Sequence, residues 1–356
     1  MEQTNNPLRF FSGSSTPAGF WGAASQLYDP FDGWRVYLLK GGAGSGKSTF
    51  LKNVTARAGD EAEVFYCSAD PQSLDAVRVP SKKLFVLDAT APHAVEPQLW
   101  GACEQLVPLS LCADETLLYE QRESLVRLAR EKEACHRRCR RLLGSAASLL
   151  SENRRAVREG LDERALASVA TNLAKQEWSR TGDEGCEERR PLSAVTPDGF
   201  VTFFETVQAC CPRIYVLRDE HGAAAKLLQL LKTKAVADGQ HVCVSPSPLF
   251  PDTAIEHLWL PQLGTAFLTA NRLQPVEFPV YRRLHMARFY EEEALREHRN
   301  QLAFREKTAQ ELLSGAVAAL DEARNFHKEM EAHTAAATDW PAVSRMCDTF
   351  LKRMDI

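Results

Sequence analysis

No run of about 18 apolar residues occurs anywhere in the chain, so a membrane-spanning helix is not expected. Charge of neither sign dominates. The 43 Lys and Arg stand against 47 Asp and Glu, a net charge of −4, and nothing global favours nucleic acid or a membrane as partner. The opening residues, Met1 to Pro7, are polar and lack the basic-then-apolar pattern of a secretory leader. Ten cysteines are scattered through the chain with no such signal, which predicts reduced thiols and a cytoplasmic protein. A hydrophobic fraction of 44% and 356 residues leave room for two domains or one large α/β unit.

Against that ordinary background stands Gly41-Gly42-Ala43-Gly44-Ser45-Gly46-Lys47-Ser48. It matches G-x-x-x-x-G-K-[ST], a loop whose backbone N–H groups cradle phosphates. The apolar run Arg35–Leu39 before it predicts a buried strand, and Thr49–Val54 after it predicts a helix stopped by Gly59. Strand, glycine loop and helix are the context this chemistry needs. Gly41 to Thr49 are therefore the expected nucleotide-binding segment. Lys47 is expected to bridge the terminal phosphates, and Ser48 to hold Mg²⁺.

The chain also reads twice. Arg35-Val36-Tyr37-Leu38-Leu39-Lys40 recurs as Arg213-Ile214-Tyr215-Val216-Leu217-Arg218, an offset of 213 − 35 = 178 residues. A T-P-x-G-F phrase begins at Thr16 and again at Thr196, and Pro80 has its counterpart in Pro261. Aligned without gaps, the glycine loop falls on Asp219 to Lys226, where Asp219, Glu220 and Ala224 replace glycines and Ala225 replaces Lys47. Acids repel phosphate, so the second copy is expected to have lost the nucleotide. The expected fold is α/β: a P-loop NTPase-type, mostly parallel sheet, internally duplicated, each half extended by a helical hairpin. The boundaries are 1–114 and 186–288 for the cores, with 115–185 and 289–356 for the helical segments.

Asp88 closes the apolar strand Leu84–Asp88 and stands where a Walker-B aspartate would share Mg²⁺ with Ser48. Ala89 follows it, where many P-loop hydrolases carry a water-orienting Glu. A base must then come from elsewhere. Asp70, Asp75 and His93 are the candidates, since each is expected near the carboxyl edge of the sheet. Residues 122–158 carry eleven Lys/Arg against four Glu, but no aromatic to stack on a base. Pairing of this helix with the acidic stretch 159–188 is preferred over a nucleic-acid face. Cys135 and Cys139 share a helix face, yet no second Cys/His pair at ligand spacing supports a metal site there.

The phrases Cys67-Ser68-x-Asp70-Pro71-x-Ser73-Leu74-Asp75 and Leu87-Asp88-x-Thr90-Ala91-Pro92-His93 join the glycine loop and the T-P-x-G-F entries in one pattern. With them the chain resembles the duplicated P-loop ATPase-type nucleotide-binding proteins of Firmicutes, whose substrate is not established. The resemblance implies binding of ATP (or GTP) with Mg²⁺ in the first half. It also implies a loop in the second half, from which this chain departs. Slow hydrolysis, phosphoryl transfer to a small molecule or nucleotide, and nucleotide binding by a non-catalytic scaffold are the three activities that fit, with the helical hairpins as a possible protein-partner surface. No base-reading N-K-x-D phrase occurs to separate ATP from GTP.

Overall fold

The computed structural model describes residues 7–92, 94–354 and 356. Strand β1 (Leu8–Phe11) leads into a hairpin, β2 (Gly13–Thr16) and β3 (Gly19–Gly22), then β4 (Arg35–Lys40) and helix α1 (Lys47–Ala58). β5 (Glu63–Tyr66), β6 (Leu74–Val79), β7 (Leu84–Asp88) and β8 (Glu104–Pro108) complete the first sheet. Helices α2 (Glu115–Glu120), α3 (Arg122–Ala156) and α4 (Glu163–Glu177) follow. The second half runs β9 (Cys186–Arg189), hairpin β10 (Ser193–Thr196) and β11 (Gly199–Thr202), α5 (Phe204–Cys210), β12 (Arg213–Arg218), α6 (Ala223–Ala237), β13 (His241–Pro246), β14 (Ile255–Leu260), β15 (Thr265–Ala270) and β16 (Arg282–His285). It ends with α7 (Glu292–Ala336) and α8 (Trp340–Met354).

The sheets are ordered β1-β5-β6-β7-β4-β8 and β9-β13-β14-β15-β12-β16. Pairings in the two follow the same sequence of senses: parallel, antiparallel, antiparallel, parallel, parallel. Both sheets are thus mixed, because β6 and β14 run against their neighbours. The cause is local. Too few residues separate β5 from β6, and β6 from β7, for a parallel crossover, so each link is a tight reversal. Asp75 accordingly lies inside β6 rather than in a loop after β5.

The strands are continuously apolar because both faces of each are buried. Val36 and Leu38 meet Ile214, Val216, Trp259 and Leu268 in a core shared between the two sheets. Tyr37 and Leu39 point the other way, onto α1 and α8. In the second half Tyr215 and Leu217 pack on α4 and α6. Each sheet therefore has helices on one face and its counterpart sheet on the other. This departs from a doubly wound plan with helices on both faces.

The two T-P-x-G-F phrases form the hairpin turns. Thr16 Oγ1 donates to Gly19 O at 2.8 Å, and Thr196 Oγ1 donates to Gly199 O at 3.0 Å. Each glycine sits in the left-handed region, φ 128° and 103°, where a Cβ would be strained.

The long helices do not fold back as hairpins on their own halves. Contacts Ser124–His333, Lys132–His327, Arg138–Glu322 and Asn153–Leu302 run in opposite directions along α3 and α7, so the two form one antiparallel pair. Basic α3 thus finds α7, and not the acidic stretch after it. The shorter helices then cross over: α4 packs on the second sheet and α8 on the first. Backbone bonds pin both crossings, Asp114 N to Ala337 O at 2.7 Å and Asp162 N to Phe289 O at 2.8 Å. Among the described residues no helix is long and apolar enough to cross a membrane.

Candidate functional site

β4 delivers the glycine loop to the carboxyl edge of the first sheet, beside the end of β7, its parallel neighbour. Gly44 and Gly46 take φ of 76° and 91°, and Gly46 is the residue before the first turn of α1. Only glycine adopts these values without strain. Lys47 Nζ donates to the carbonyls of Gly41 and Gly42 at 2.8 and 2.7 Å and stands 3.6 Å from Asp88 Oδ2. Asp88 Oδ1 in turn accepts from Thr90 N, and Thr90 Oγ1 donates to Gly41 O at 3.1 Å. Loop, lysine and β7 carboxylate are therefore one network. Ser48 Oγ accepts from Leu74 N at 3.1 Å, tying α1 to β6; Thr49 is exposed.

The expected acids divide. Asp70 accepts from Ser73 Oγ at 2.7 Å, and its charge reaches His327 and Glu331 on α7. Asp75 is buried, accepts from Ser12 Oγ at 2.5 Å and helps raise the Cys67 thiol, which burial raises most. Asp70 joins the loop's electrostatic neighbourhood, while Asp75 is held in the sheet. His93 lies outside the described residues.

The helix pair completes the site, and the sequence reading missed this. The end of α7 lies directly on the loop: a Cβ built on Gly44 would stand within 2.5 Å of Glu331 O, and one on Gly46 within 3.3 Å of Trp340 and Val343. Lys132 on α3 and His327 on α7 lie within electrostatic reach of Lys47, and His136, one turn from Lys132, adjoins them. Lys132 Nζ is 3.4 Å from His327 Nδ1. Burial lowers the Lys132 pKa most, and Lys47 lowers it further. Burial, then Lys132, lower that of His136. Burial, then Lys132 and Lys47, bring His327 down to about 4. Glu331 is raised, by burial first and Asp70 second. The i, i+4 spacing of Lys132 and His136 was legible in the sequence. Their place beside a loop some ninety residues upstream was not.

The second half puts a different device at the matching place. There the link from β12 to α6 spans Asp219–Gly222, against Gly41–Gly46 in the first half. Gly222, with φ 99°, precedes the helix as Gly46 does. The gapless alignment is thereby corrected: Ala223, not Ala225, occupies the position of Lys47. Lys226 lies on the helix surface, paired with Glu163 at 2.9 Å. Asp219 folds its carboxylate onto the helix start, accepting from the N–H groups of His221, Gly222 and Ala224 at 2.8–3.1 Å. The protein's own carboxylate takes the donors that a phosphate uses elsewhere. Asp219→Ala should unpair these N–H groups and cost about 1–3 kcal/mol, measured as a lower denaturation midpoint with unchanged m-value. An unchanged midpoint would mean that water replaces the carboxylate at no cost.

For a divalent ion, Ser48, Asp88 and Asp70 offer the hard oxygen donors that Mg²⁺ takes. A separate group, Glu188, His241 and Cys243, brings three ligand atoms within 4.8 Å of one another. Glu188 there already accepts from Arg190 at 2.9 Å, so a guanidinium holds the cationic place. No protein-family model, curated protein or solved structure matches the chain.

Proposed function

We propose that the first half binds MgATP or MgGTP at Gly41–Thr49 and hydrolyses it slowly, and that the second half is a duplicated copy retained as structure or regulator. The resemblance to the duplicated P-loop ATPase-type proteins, and a cytoplasmic place for the ten free thiols, belong to the same proposal. The observation that carries it is Lys132 and His327 lying within electrostatic reach of Lys47, beside a loop of left-handed glycines. Burial first, and then neighbouring positive charge, lowers the proton affinity of Lys132, His136 and His327, an arrangement that a polyanion relieves.

Each residue then has a task. Lys47 leaves the two loop carbonyls for the terminal phosphates. Ser48 and Asp88 hold Mg²⁺, which neutralises the phosphate oxygens. Lys132 and His327 bring positive charge from the helix pair to where negative charge develops. Asp70 and Glu331, the latter 3.6 Å from His327, are acids within electrostatic reach of that cluster, and Ala89 cannot orient water, which fits slow turnover. Because α7 touches the loop at Gly44, occupancy of the loop bears on the α7–α8 joint.

Thermal unfolding with ATP, GTP and ADP, each with Mg²⁺, tests the reading. Binding at about 100 times Kd should stabilise the fold by about 2.7 kcal/mol, with phosphate release to follow. Release of ADP only in the presence of a second metabolite would favour phosphoryl transfer. A shift without turnover under any condition would favour the non-catalytic scaffold. No shift with any nucleotide would overturn the proposal.

A further inference from the structure

We propose that the second half holds a binding site for a small primary ammonium ligand, in a cavity built from the Asp219–Gly222 turn, β14, β15 and the α3–α7 pair, with Glu256 as the anionic partner. This site is separate from the nucleotide loop and does not rest on it.

The cavity measures about 110 Å³. Four side chains that line it carry a buried polar atom with no hydrogen-bond partner: Glu256 Oε2, Thr269 Oγ1, Asn153 Oδ1 and His221 Nδ1. Glu256, Thr269 and Asn153 are each at most 9% exposed. Buried groups of this kind are paired in nearly all folded proteins, and one left unpaired is destabilising. Four converging on one space mark a place for a hydrogen-bonding guest.

The chemistry of the guest follows from what is missing. Asn153 Nδ2 donates to Leu302 O at 3.1 Å, so its carbonyl oxygen is the atom left over. The Glu256 oxygen is likewise an acceptor. A guest for these two oxygens brings N–H or O–H donors, within a lining that also holds Arg154 and Arg272.

Charge selects further. Asp219 is taken up by the helix N–H groups, and Glu306 is paired with Arg272 at 3.2 Å. Arg154 lies over the Phe250 ring at 4.5 Å, and its charge falls on Asp219 before Glu256. His257 lies beside Glu256, its Nε2 3.6 Å from Oε2 and 3.2 Å from Ser193 Oγ. His257 Nδ1 accepts from Thr269 N at 3.2 Å, and burial pushes its pKa down to about 3, so it stays neutral and supplies no countercharge. Burial pushes both Glu256 and Glu220 up to about 7, against the opposing pull of hydrogen bonds from Ser193 and Gln274 and the charge of Arg154 on the first, and of Arg272 on the second.

An ammonium head with three donors meets Glu256, Thr269 and Asn153. A short alkyl tail meets Leu249, Phe250, Leu273 and Leu313 on the apolar wall. A cavity of about 150 Å³ holds benzene, so this one suits a tail of about three to five carbons.

The test is titration calorimetry of the full chain with n-propyl-, n-butyl- and n-pentylammonium in mildly alkaline buffer, and with n-butanol as neutral match. Saturable binding of an alkylammonium, with n-butanol silent, is expected. Glu256→Gln should weaken it about tenfold or more, and Lys47→Ala should leave it unchanged. Equal binding of amine and alcohol, binding of no amine, or an undiminished Glu256→Gln would each overturn the proposal. If Glu256→Gln fails to fold, Thr269→Val with the amine–alcohol comparison on the native chain decides instead.

Discussion

Lys47→Ala is expected to erase the nucleotide-dependent rise in unfolding midpoint and to lower phosphate release by about 10²–10³-fold. The reason is position. Lys47 Nζ already sits at the mouth of the loop, held by two carbonyls and 3.6 Å from Asp88. No other cation among the described residues is anchored to the loop itself. The substitution also leaves Asp88 facing carbonyl oxygens, so the unliganded variant should melt somewhat lower. That shift is independent of nucleotide and separates folding from binding. The same variant with an unchanged nucleotide-dependent midpoint and unchanged release would remove the glycine loop from the function. Attention would then move to the cavity at Glu256.

What the sequence disclosed, and what it withheld, divides along chain distance. Strand, loop and helix around Lys47 are set by neighbours: an apolar run, glycines with positive φ, a helix ended at Gly59. The repeated strand pairing was foreshadowed by the recurrence of Arg35–Lys40 at Arg213–Arg218, because matching apolar phrases bury matching faces. The starts of two helices are local in the same way: Trp340-Pro341 opens α8 and Asp162 caps α4. Partners were not legible. Nothing local to α3 says that its face will meet α7 rather than α4. That choice depends on alanines and leucines about 170 residues apart in the chain packing into one seam. The exchange of α4 and α8 between sheets is equally invisible, since either sheet offers an apolar face. The second half's turn was misaligned, because deleting residues from a turn leaves no mark in a gapless comparison. Asp219 was expected to repel phosphate. In the fold it goes further and fills the donors itself.

Lys132→Met carries the second large expectation: turnover reduced about 10²–10³-fold with the unliganded midpoint unchanged or raised. Two facts set the sign. Lys132 is partly buried beside Lys47 and His327, so its charged form is held at a cost in the unliganded protein. Methionine keeps the packed stem and removes that charge. A residue needed only for architecture would instead lower the midpoint. The same electrostatics make nucleotide binding a proton-linked event. His327 is brought down to about 4 by burial and by Lys132 and Lys47, against its ordinary 6.5, with Asp70 opposing and His136 reinforcing. In the unliganded protein the unfolded chain thus binds more protons between about pH 4 and 6.5, and stability rises with pH across that window. A polyanion reverses the balance: it favours the protonated forms of His327, His136 and Lys132, so the complex takes up protons and affinity rises as pH falls toward 6. Calorimetry in two buffers of different ionisation enthalpy measures the uptake directly. In Lys132→Met the uptake should shrink, because one titrating partner is gone and His327 returns toward its ordinary value. Proton release on binding, or equal uptake in both proteins, would place the phosphates away from the helix pair and leave α3 and α7 as a brace for the two sheets.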